Sequence, residues 1–284
     1  MYMTGFADEA ANSIEGQIKA TKELGWKYIE ARSVNGANIH DISDEDFDAV
    51  CGKLEEAGIK INCFGSAIAN WGKDIRKPFD ADLEQINRAI PRMKRLGTSL
   101  IRIMSYAVIP DSEEQYSKER FRRLREMQRM FSSEGITMVH ENCMNYGGIS
   151  YKHTLELVEN VPGLKLVFDT GNPVQTKDFF RPGKMQSSYE FYSNVKEHIA
   201  YIHIKDGVMK DGKTVWTFPG EGEGDVKKIL ADLLASGYDG GISIEPHIDV
   251  VYHRQGDKKP EDALRYENYV KYGRMTEEII KSLK

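Results

Sequence analysis

The sequence predicts an α/β protein folded as a single (β/α)8, or TIM, barrel spanning residues 1–284, and three observations predict it. An amphipathic segment ending in Gly is followed at once by an apolar, β-rich run, and this phrase recurs five times. Strand-like and helical segments alternate in eight pairs, with no Pro/Ser-rich linker or low-complexity stretch to divide them. The GxGxxG turn that opens a doubly wound dinucleotide-binding sheet is missing after the first strand.

The opening MYMTGFADE supplies the first strand. The five phrases are ELGWKYIEA (23–31), EAGIKINCFG (56–65), RLGTSLIRIMS (95–105), SEGITMVHEN (133–142) and ASGYDGGISIEPH (235–247). Gly just past a helix takes the left-handed conformation without steric cost, and the apolar run after it reads as a buried strand, so each phrase is a helix-to-strand joint. LKLVFDTGN (164–172) and IAYIHIKD (199–206) complete the eight strands. Helical periodicity covers 14–24, 44–57, 80–96, 113–134, 151–160, 187–197, 225–236 and 261–282. Barrels of this type commonly occupy about 250 residues as one unit, which suits a chain of 284.

Acidic residues (44) and basic residues (39) are interspersed, with a net charge of -5. That balance lacks the one-sided basic field needed to grip phosphate backbones, so nucleic acid is not an expected partner. Cys51, Cys63 and Cys143 show no CxxC pairing, which argues against a disulfide framework and a thiolate zinc site and suits a reducing cytoplasm. No leader-like start and no apolar run near 20 residues is present, so neither export nor membrane insertion is expected.

Side chains alternate along a strand, which allows a test of facing. In TMVHEN, Thr137, Val139 and Glu141 oppose Met138 and His140; in LKLVFD, Lys165, Val167 and Asp169 oppose Leu166 and Phe168. In YIHIKD, Tyr201, His203 and Lys205 oppose Ile202 and Ile204, and in GISIEPH, Gly241, Ser243 and Glu245 oppose Ile242 and Ile244. With the Ile, Leu and Phe members packed outward on helices, Glu141, Asp169, His203 and Glu245 all point into the barrel at strand ends, the rim where such barrels build active sites. Three carboxylates and an imidazole crowded together repel one another and resist desolvation, and a shared cation resolves both costs. Oxygen-rich ligation with one His suits a divalent ion, Mn²⁺, Mg²⁺ or Co²⁺ ahead of Zn²⁺. A metal-free alternative pairs His203 with a carboxylate.

The strings FADE (6–9), YIEAR (28–32), HEN (140–142), FDTGN (168–172), HIKD (203–206), GEGEGD (220–225) and IEPH (244–247) resemble the sugar phosphate isomerase/epimerase superfamily of xylose isomerase-like barrels. The resemblance covers nearly the whole chain in order. It implies that Glu141, Asp169, His203 and Glu245 hold a single metal ion, with Glu141 and Glu245 also acting as acid and base on opposite faces of a substrate. Ketose 3-epimerases of that superfamily commonly carry a His three residues after the metal-binding Asp; here Asn172 stands there. The three-metal cluster of its abasic-site endonucleases needs further histidines, where this chain offers Cys63, Ser105 and Asn172.

The expected function is isomerisation or epimerisation of a small sugar or keto-sugar through an enediolate, because a carboxylate suffices as base once a Lewis acid holds the carbonyl and its neighbouring hydroxyl. Loss of that hydroxyl would turn the same chemistry into a dehydratase or lyase reaction on a keto-sugar, inosose or 3-keto-glycoside. A non-catalytic sugar-binding protein is a third alternative. Asn142, Asn172, Lys205, His247 and Arg102 are the candidate substrate contacts; His247 shares the direction of Glu245 if the strand geometry persists past Pro246. Trp71, Phe6, Phe64 and Tyr106 are candidates for the pocket wall. The run PGEGEGD (219–225) carries Glu221, Glu223 and Asp225 where a phosphate would need a basic partner, so it reads as a tight substrate-facing turn with a helix cap at Asp225, favouring an unphosphorylated substrate. Segments 65–79, 171–186 and 246–260 are long enough to form lids. The resemblance leaves a homo-oligomer open.

Overall fold

Eight parallel strands form one sheet in the order β1-β8-β7-β6-β5-β4-β3-β2. They are β1 (Tyr2–Gly5), β2 (Tyr28–Ala31), β3 (Lys60–Gly65), β4 (Leu100–Ile103), β5 (Thr137–Glu141), β6 (Lys165–Asp169), β7 (Ile199–Ile204) and β8 (Gly241–Ile244). The structure, a computed structural model, describes residues 1–110, 112–248 and 262–283. A single parallel bridge, Phe6 to Glu30, joins β1 to β2 and brings the barrel close to closure.

Between the strands lie α1 (Ile14–Glu23), α2 (Asp44–Ala57), α3 (Asp80–Leu96), α4 (Ser117–Ser132), α5 (Tyr151–Asn160), α6 (Ser188–Val195) and α7 (Val226–Ala235), and α8 (Asp262–Ser282) follows β8. Ser13, Ser43, Ser150 and Ser187 cap four of them by accepting a backbone N–H with the side-chain oxygen, an arrangement typically worth about 1 kcal/mol each. The glycines of the five recurrent phrases, Gly25, Gly58, Gly97, Gly135 and Gly237, all have φ between +68° and +79°, so each joint turns where only Gly turns cheaply. Helix α4 starts later than its periodicity predicts, because Tyr116 is left-handed (φ 54°) and the Gln115 side chain bonds back to both the N–H and the carbonyl of Ile109. The segment 113–116 is thereby spent on a turn.

Alternation along the strands separates two apolar populations. Met138, Leu166, Phe168, Ile202, Ile204, Ile242 and Ile244 join the large core between sheet and helices. Val139, Val167 and Tyr201 pack with Cys63 in a separate cluster inside the barrel. Each fully buried side chain of this size contributes roughly 1.5–3 kcal/mol relative to exposure, so a one-residue slip of any strand would forfeit several such terms. That penalty fixes which residues reach the rim.

Two hairpins were not predicted. One is short (Ser33–Val34 with Ala37–Asn38); the other pairs Asp206–Lys210 with Lys213–Thr217 around Asp211-Gly212, both at positive φ. Asp-Gly between alternating residues is a strong local signal for such a turn, and it places Trp216 over the barrel mouth. Residues 249–261 lie outside the described residues, and with them most of the third expected lid segment. Among the described residues no helix is long and apolar enough to cross a membrane.

Candidate metal centre

Strands β5, β6 and β7 end on Glu141, Asp169 and, one residue before the end, His203; Glu245 follows β8 directly. Register brings them level, since Asp169 and His203 are Cα partners and the Glu245 N–H donates to the Ile204 carbonyl at 3.0 Å. One ligand atom from each of the four lies within 4.8 Å of the other three, and all four residues are buried. His203 Nδ1 is 3.7 Å from Glu141 Oε1, 3.7 Å from Glu245 Oε2 and 4.0 Å from Asp169 Oδ2.

The donor set fits a divalent cation. His203 Nδ1 and Asp169 Oδ2 are buried without a hydrogen bond, although Lys205 Nζ stands 3.0 Å from the latter. Buried polar atoms in that condition are expensive unless a ligand meets them. The other face of the His203 ring is tied down: Nε2 lies 3.1 Å from a Glu30 carboxylate oxygen, and that carboxylate also accepts from the Tyr201 hydroxyl (2.9 Å) and Ser243 Oγ (2.6 Å). A carboxylate on the far ring nitrogen holds the Nε2–H, so that the ring, once a metal displaces its second proton, would direct the Nδ1 lone pair at the ligand group.

Charge is arranged in opposed pairs. Arg102 donates to Glu141 Oε2 at 2.6 Å, and Asn172 Nδ2 donates to Glu141 Oε1 at 3.1 Å. Burial pushes the Glu141 carboxyl up, but the Arg102 guanidinium and His203 together outweigh it and the net displacement is downward. Glu245 behaves likewise, with Lys205 Nζ at 3.1 Å on one oxygen and Arg32 Nη1 at 3.1 Å on the other. Asp169, buried among the other carboxylates, is pushed up to about 7. His203, whose burial alone would lower it, is raised to about 10 by Glu30 and Glu141. The group thus holds more negative charge than its neighbours neutralise, and a proton or a metal ion must make up the difference.

The remaining candidates divide. Arg102, Asn172, Lys205 and His247 line a cavity of about 360 Å³ that Glu141 and Glu245 also reach, together with Trp71 and Trp216. Asn142 does not line it: its amide accepts from the Asp169 N–H (2.6 Å) and donates to the Asp169 carbonyl (3.0 Å), bracing β5 against β6. His247 is left-handed (φ 53°), so the strand geometry does not persist past Pro246. Its ring reaches Glu9 Oε1 (2.8 Å) and lies 3.6 Å from Glu245 Oε1. Glu9, Glu245 and His247 form a second group of ligand type, but Arg32 already spans Glu9 and Glu245 at 3.1 Å each. Phe6 lies beneath the site, edge-on to His203 with the Arg32 guanidinium 4.4 Å above its ring, whereas Phe64 and Tyr106 belong to the core.

The glycine-rich run does cradle an anion, but the anion is internal. The Asp206 carboxylate accepts from the N–H groups of Gly207 (2.9 Å), Gly220 (2.8 Å), Gly222 (3.1 Å) and Gly224 (2.8 Å). A backbone nest needs a negative charge at its centre, and this one carries its own. Nor does Asp225 cap α7 with its side chain, which accepts from the Tyr189 N–H at 3.2 Å. Sequence reasoning missed Asp206 and Glu30, yet both were marked. A Glu between Ile29 and Ala31 in a buried strand calls for a partner, and alternation along β2 sets Glu30 opposite in facing to its apolar neighbours.

A family model described as xylose isomerase-like TIM barrel matches residues 18–267. The chain belongs to this family. No curated protein matches its sequence. Among solved structures, a xylose isomerase-like TIM barrel protein from Mycobacterium smegmatis in complex with magnesium is 16% identical, with a TM-score of 0.70 over 99% of this chain and 97% of the other. The IOLI protein with a bound zinc atom is 16% identical, with a TM-score of 0.74 over 100% and 99%. The apo form of YcjR, a 3-keto-D-glucoside 4-epimerase from E. coli, is 16% identical, with a TM-score of 0.65 over 97% and 99%. At such identities the likeness carries the fold of the xylose isomerase-like barrel; the chemistry of this member rests on its own residues.

Proposed function

We propose that this chain is a metal-dependent isomerase or epimerase acting on a small, unphosphorylated sugar or keto-sugar. The observation that carries the reading is the convergence of Glu141, Asp169, His203 and Glu245 within 4.8 Å, with Glu141 and Glu245 lining a cavity of about 360 Å³. These four residues would hold one divalent ion, Mn²⁺, Mg²⁺ or Co²⁺ by the oxygen-rich donor set, and zinc is compatible with it. When bound, such an ion supplies Lewis acidity toward a carbonyl and its neighbouring hydroxyl. The magnesium and zinc in the M. smegmatis and IOLI structures agree with that assignment.

The chain's own groups supply the proton chemistry. Glu141 and Glu245 flank His203, and each is held by a separate cation, Arg102 or Lys205, so neither carboxylate can swing away. One removes the proton next to the substrate carbonyl and the other, after taking a proton from solvent, returns it on the opposite face, a division of labour worth about 10²–10⁴ in rate. Lys205, whose ammonium form is favoured by Asp169 and Glu245 over the opposing effect of burial, binds a substrate oxygen. Trp71 and Trp216 offer indole surface to the CH-rich face of a sugar ring. A phosphate finds no open nest, because Asp206 occupies the one the glycine run forms. A dehydratase or lyase reading shares the first step, and Lys205 would then protonate the departing oxygen.

The test is exchange of substrate C–H protons with solvent deuterium across a panel of unphosphorylated keto-sugars and inososes, with the metal-loaded protein. Wild type should exchange one position, and Glu141→Gln and Glu245→Gln should each slow that exchange by about 10²-fold or more. Undiminished exchange in both variants refutes the assignment, and product analysis separates epimerisation from loss of water.

A further inference from the structure

Next to the charged chamber lies a second cavity of about 410 Å³, and the two share Cys143, Met144 and Gln175 as a common wall. Beyond that wall Val108, Ile149 and Phe179 present apolar surface, with Asn145, Thr176, Lys177 and Asp178 at their margins. Eight large hydrophobic side chains are exposed among the described residues; Val108 (37%), Met144 (42%) and Phe179 (59%) all border this groove, and Phe180 stands edge-on to Phe179 at 5.3 Å. Single exposed apolar residues need no explanation, but a cluster beside a candidate active site does. The groove is also held in shape. Asn145 Nδ2 donates to the Glu141 carbonyl (3.0 Å), Gln186 Nε2 donates to the Ile149 carbonyl (2.6 Å), and the Asp178 carboxylate accepts from the N–H groups of Phe180 (2.8 Å) and Arg181 (2.9 Å).

We propose that the substrate is a sugar bearing an apolar, ring-sized substituent, with the sugar over Glu141 and Glu245 and the substituent in the groove lined by Val108, Met144 and Phe179. This rests on the sugar reading of the metal centre and narrows it to glycosides. Each cavity is about the size that takes one small ligand unit, and the three lining residues they have in common put them side by side, within reach of one two-part ligand. A free monosaccharide is polar all round and would leave the groove's apolar surface wet. A flat aromatic or polycyclic group would cover it, since the Met144 thioether and the Phe179 ring both favour contact with a ring. The pre-formed loops lower the ordering cost of that contact.

Methyl and phenyl glycosides of the same sugars (β-glucosides, β-galactosides and β-xylosides) serve as paired probes against the Mn²⁺-loaded protein, with affinity read by calorimetry. The phenyl member of at least one pair should bind about tenfold tighter or more. Val108→Ser and Phe179→Ser, both at exposed positions where folding is not at risk, should close that gap while leaving affinity for Mn²⁺ and for the methyl glycoside unchanged. Equal binding within every pair, or a gap that survives both substitutions, overturns the proposal. So does failure of all glycosides to bind a protein that still binds Mn²⁺. If sedimentation shows instead that the groove closes on a second copy of the chain, and both serine variants are monomeric, the substituent site is likewise refuted. Failure to bind Mn²⁺ at all would count against the metal centre, a separate result.

Discussion

Asp206→Asn should destabilise the fold by about 3 kcal/mol, out of all proportion to the loss of one atom's identity. The wild-type carboxylate divides four backbone N–H groups between its oxygens: Gly207 and Gly224 on Oδ1, Gly220 and Gly222 on Oδ2. An Asn keeps one oxygen and turns an NH₂ group toward the other pair, so two donors face a donor. Hydrogen bonds to a charged acceptor contribute about 1.5–3 kcal/mol each, which puts the loss of two at roughly 3–6 kcal/mol before the loop relaxes. Relaxation brings the figure toward the lower end, still a large part of a typical total stability of about 5–15 kcal/mol. The effect should reach the site, because Asp206 follows Lys205 and opens the hairpin that carries Trp216. Urea unfolding monitored by far-ultraviolet circular dichroism measures the loss. Gly222→Ala supplies a control by a different route: its Cβ would sit 2.3 Å from Asp206 Oδ1 and 2.5 Å from Gly207 N, expelling the same carboxylate. The double variant should therefore cost little more than the worse single one, a coupling readable in a double-mutant cycle. A loss below about 1 kcal/mol for Asp206→Asn, or strict additivity with Gly222→Ala, would refute the nest as a stabilising element.

Glu30→Gln should weaken Mn²⁺ binding by about 10–100-fold, the usual cost of losing a carboxylate that orients a ligating histidine; unchanged affinity by calorimetry would show that Glu30 does not position His203. Adding Mn²⁺ at 100 times its dissociation constant should raise stability by about 2.7 kcal/mol, and the same titration should leave the melting temperature of Asp169→Asn almost unmoved; an equal rise in that variant would place the ion elsewhere. His40 and His140 are both lowered to about 4, burial being the main cause, and His40 Nε2 accepts from the Ala67 N–H, which requires the neutral ring. An unfolded histidine titrates near 6.5, so the unfolded chain binds more protons between these values, and stability is lost as pH falls from about 6.5 toward 4, at up to about 1.4 kcal/mol per pH unit for each residue. Asp169, raised to about 7, acts in the opposite direction over the same window and offsets about one histidine, so the check is the difference between wild type and His140→Gln in urea midpoints at pH 7 and pH 5: the variant should lose less stability on acidification, and an identical pH response would contradict the assignment.

What the sequence determined by itself is everything governed by local period and local chemistry. The Gly joints set where helices hand over to strands, and the facing of Val139, Val167 and Tyr201 against Met138, Phe168 and Ile202 followed from a period of two, because only one register buries both sets. The positions of Glu141, Asp169, His203 and Glu245 at one rim were legible for the same reason. The tertiary structure alone decided which distant groups answer one another. Glu30 meets His203 across 173 residues of chain, Arg32 meets Glu245 across 213, and His247 meets Glu9 across 238. These pairings arise where the barrel nears closure, bringing β1 and β2 against β7 and β8, and strand alternation states which way a side chain points but not what it will face. The Gly run likewise showed a readiness to hold an anion, while Asp206 as its occupant depended on a hairpin folding back over the mouth.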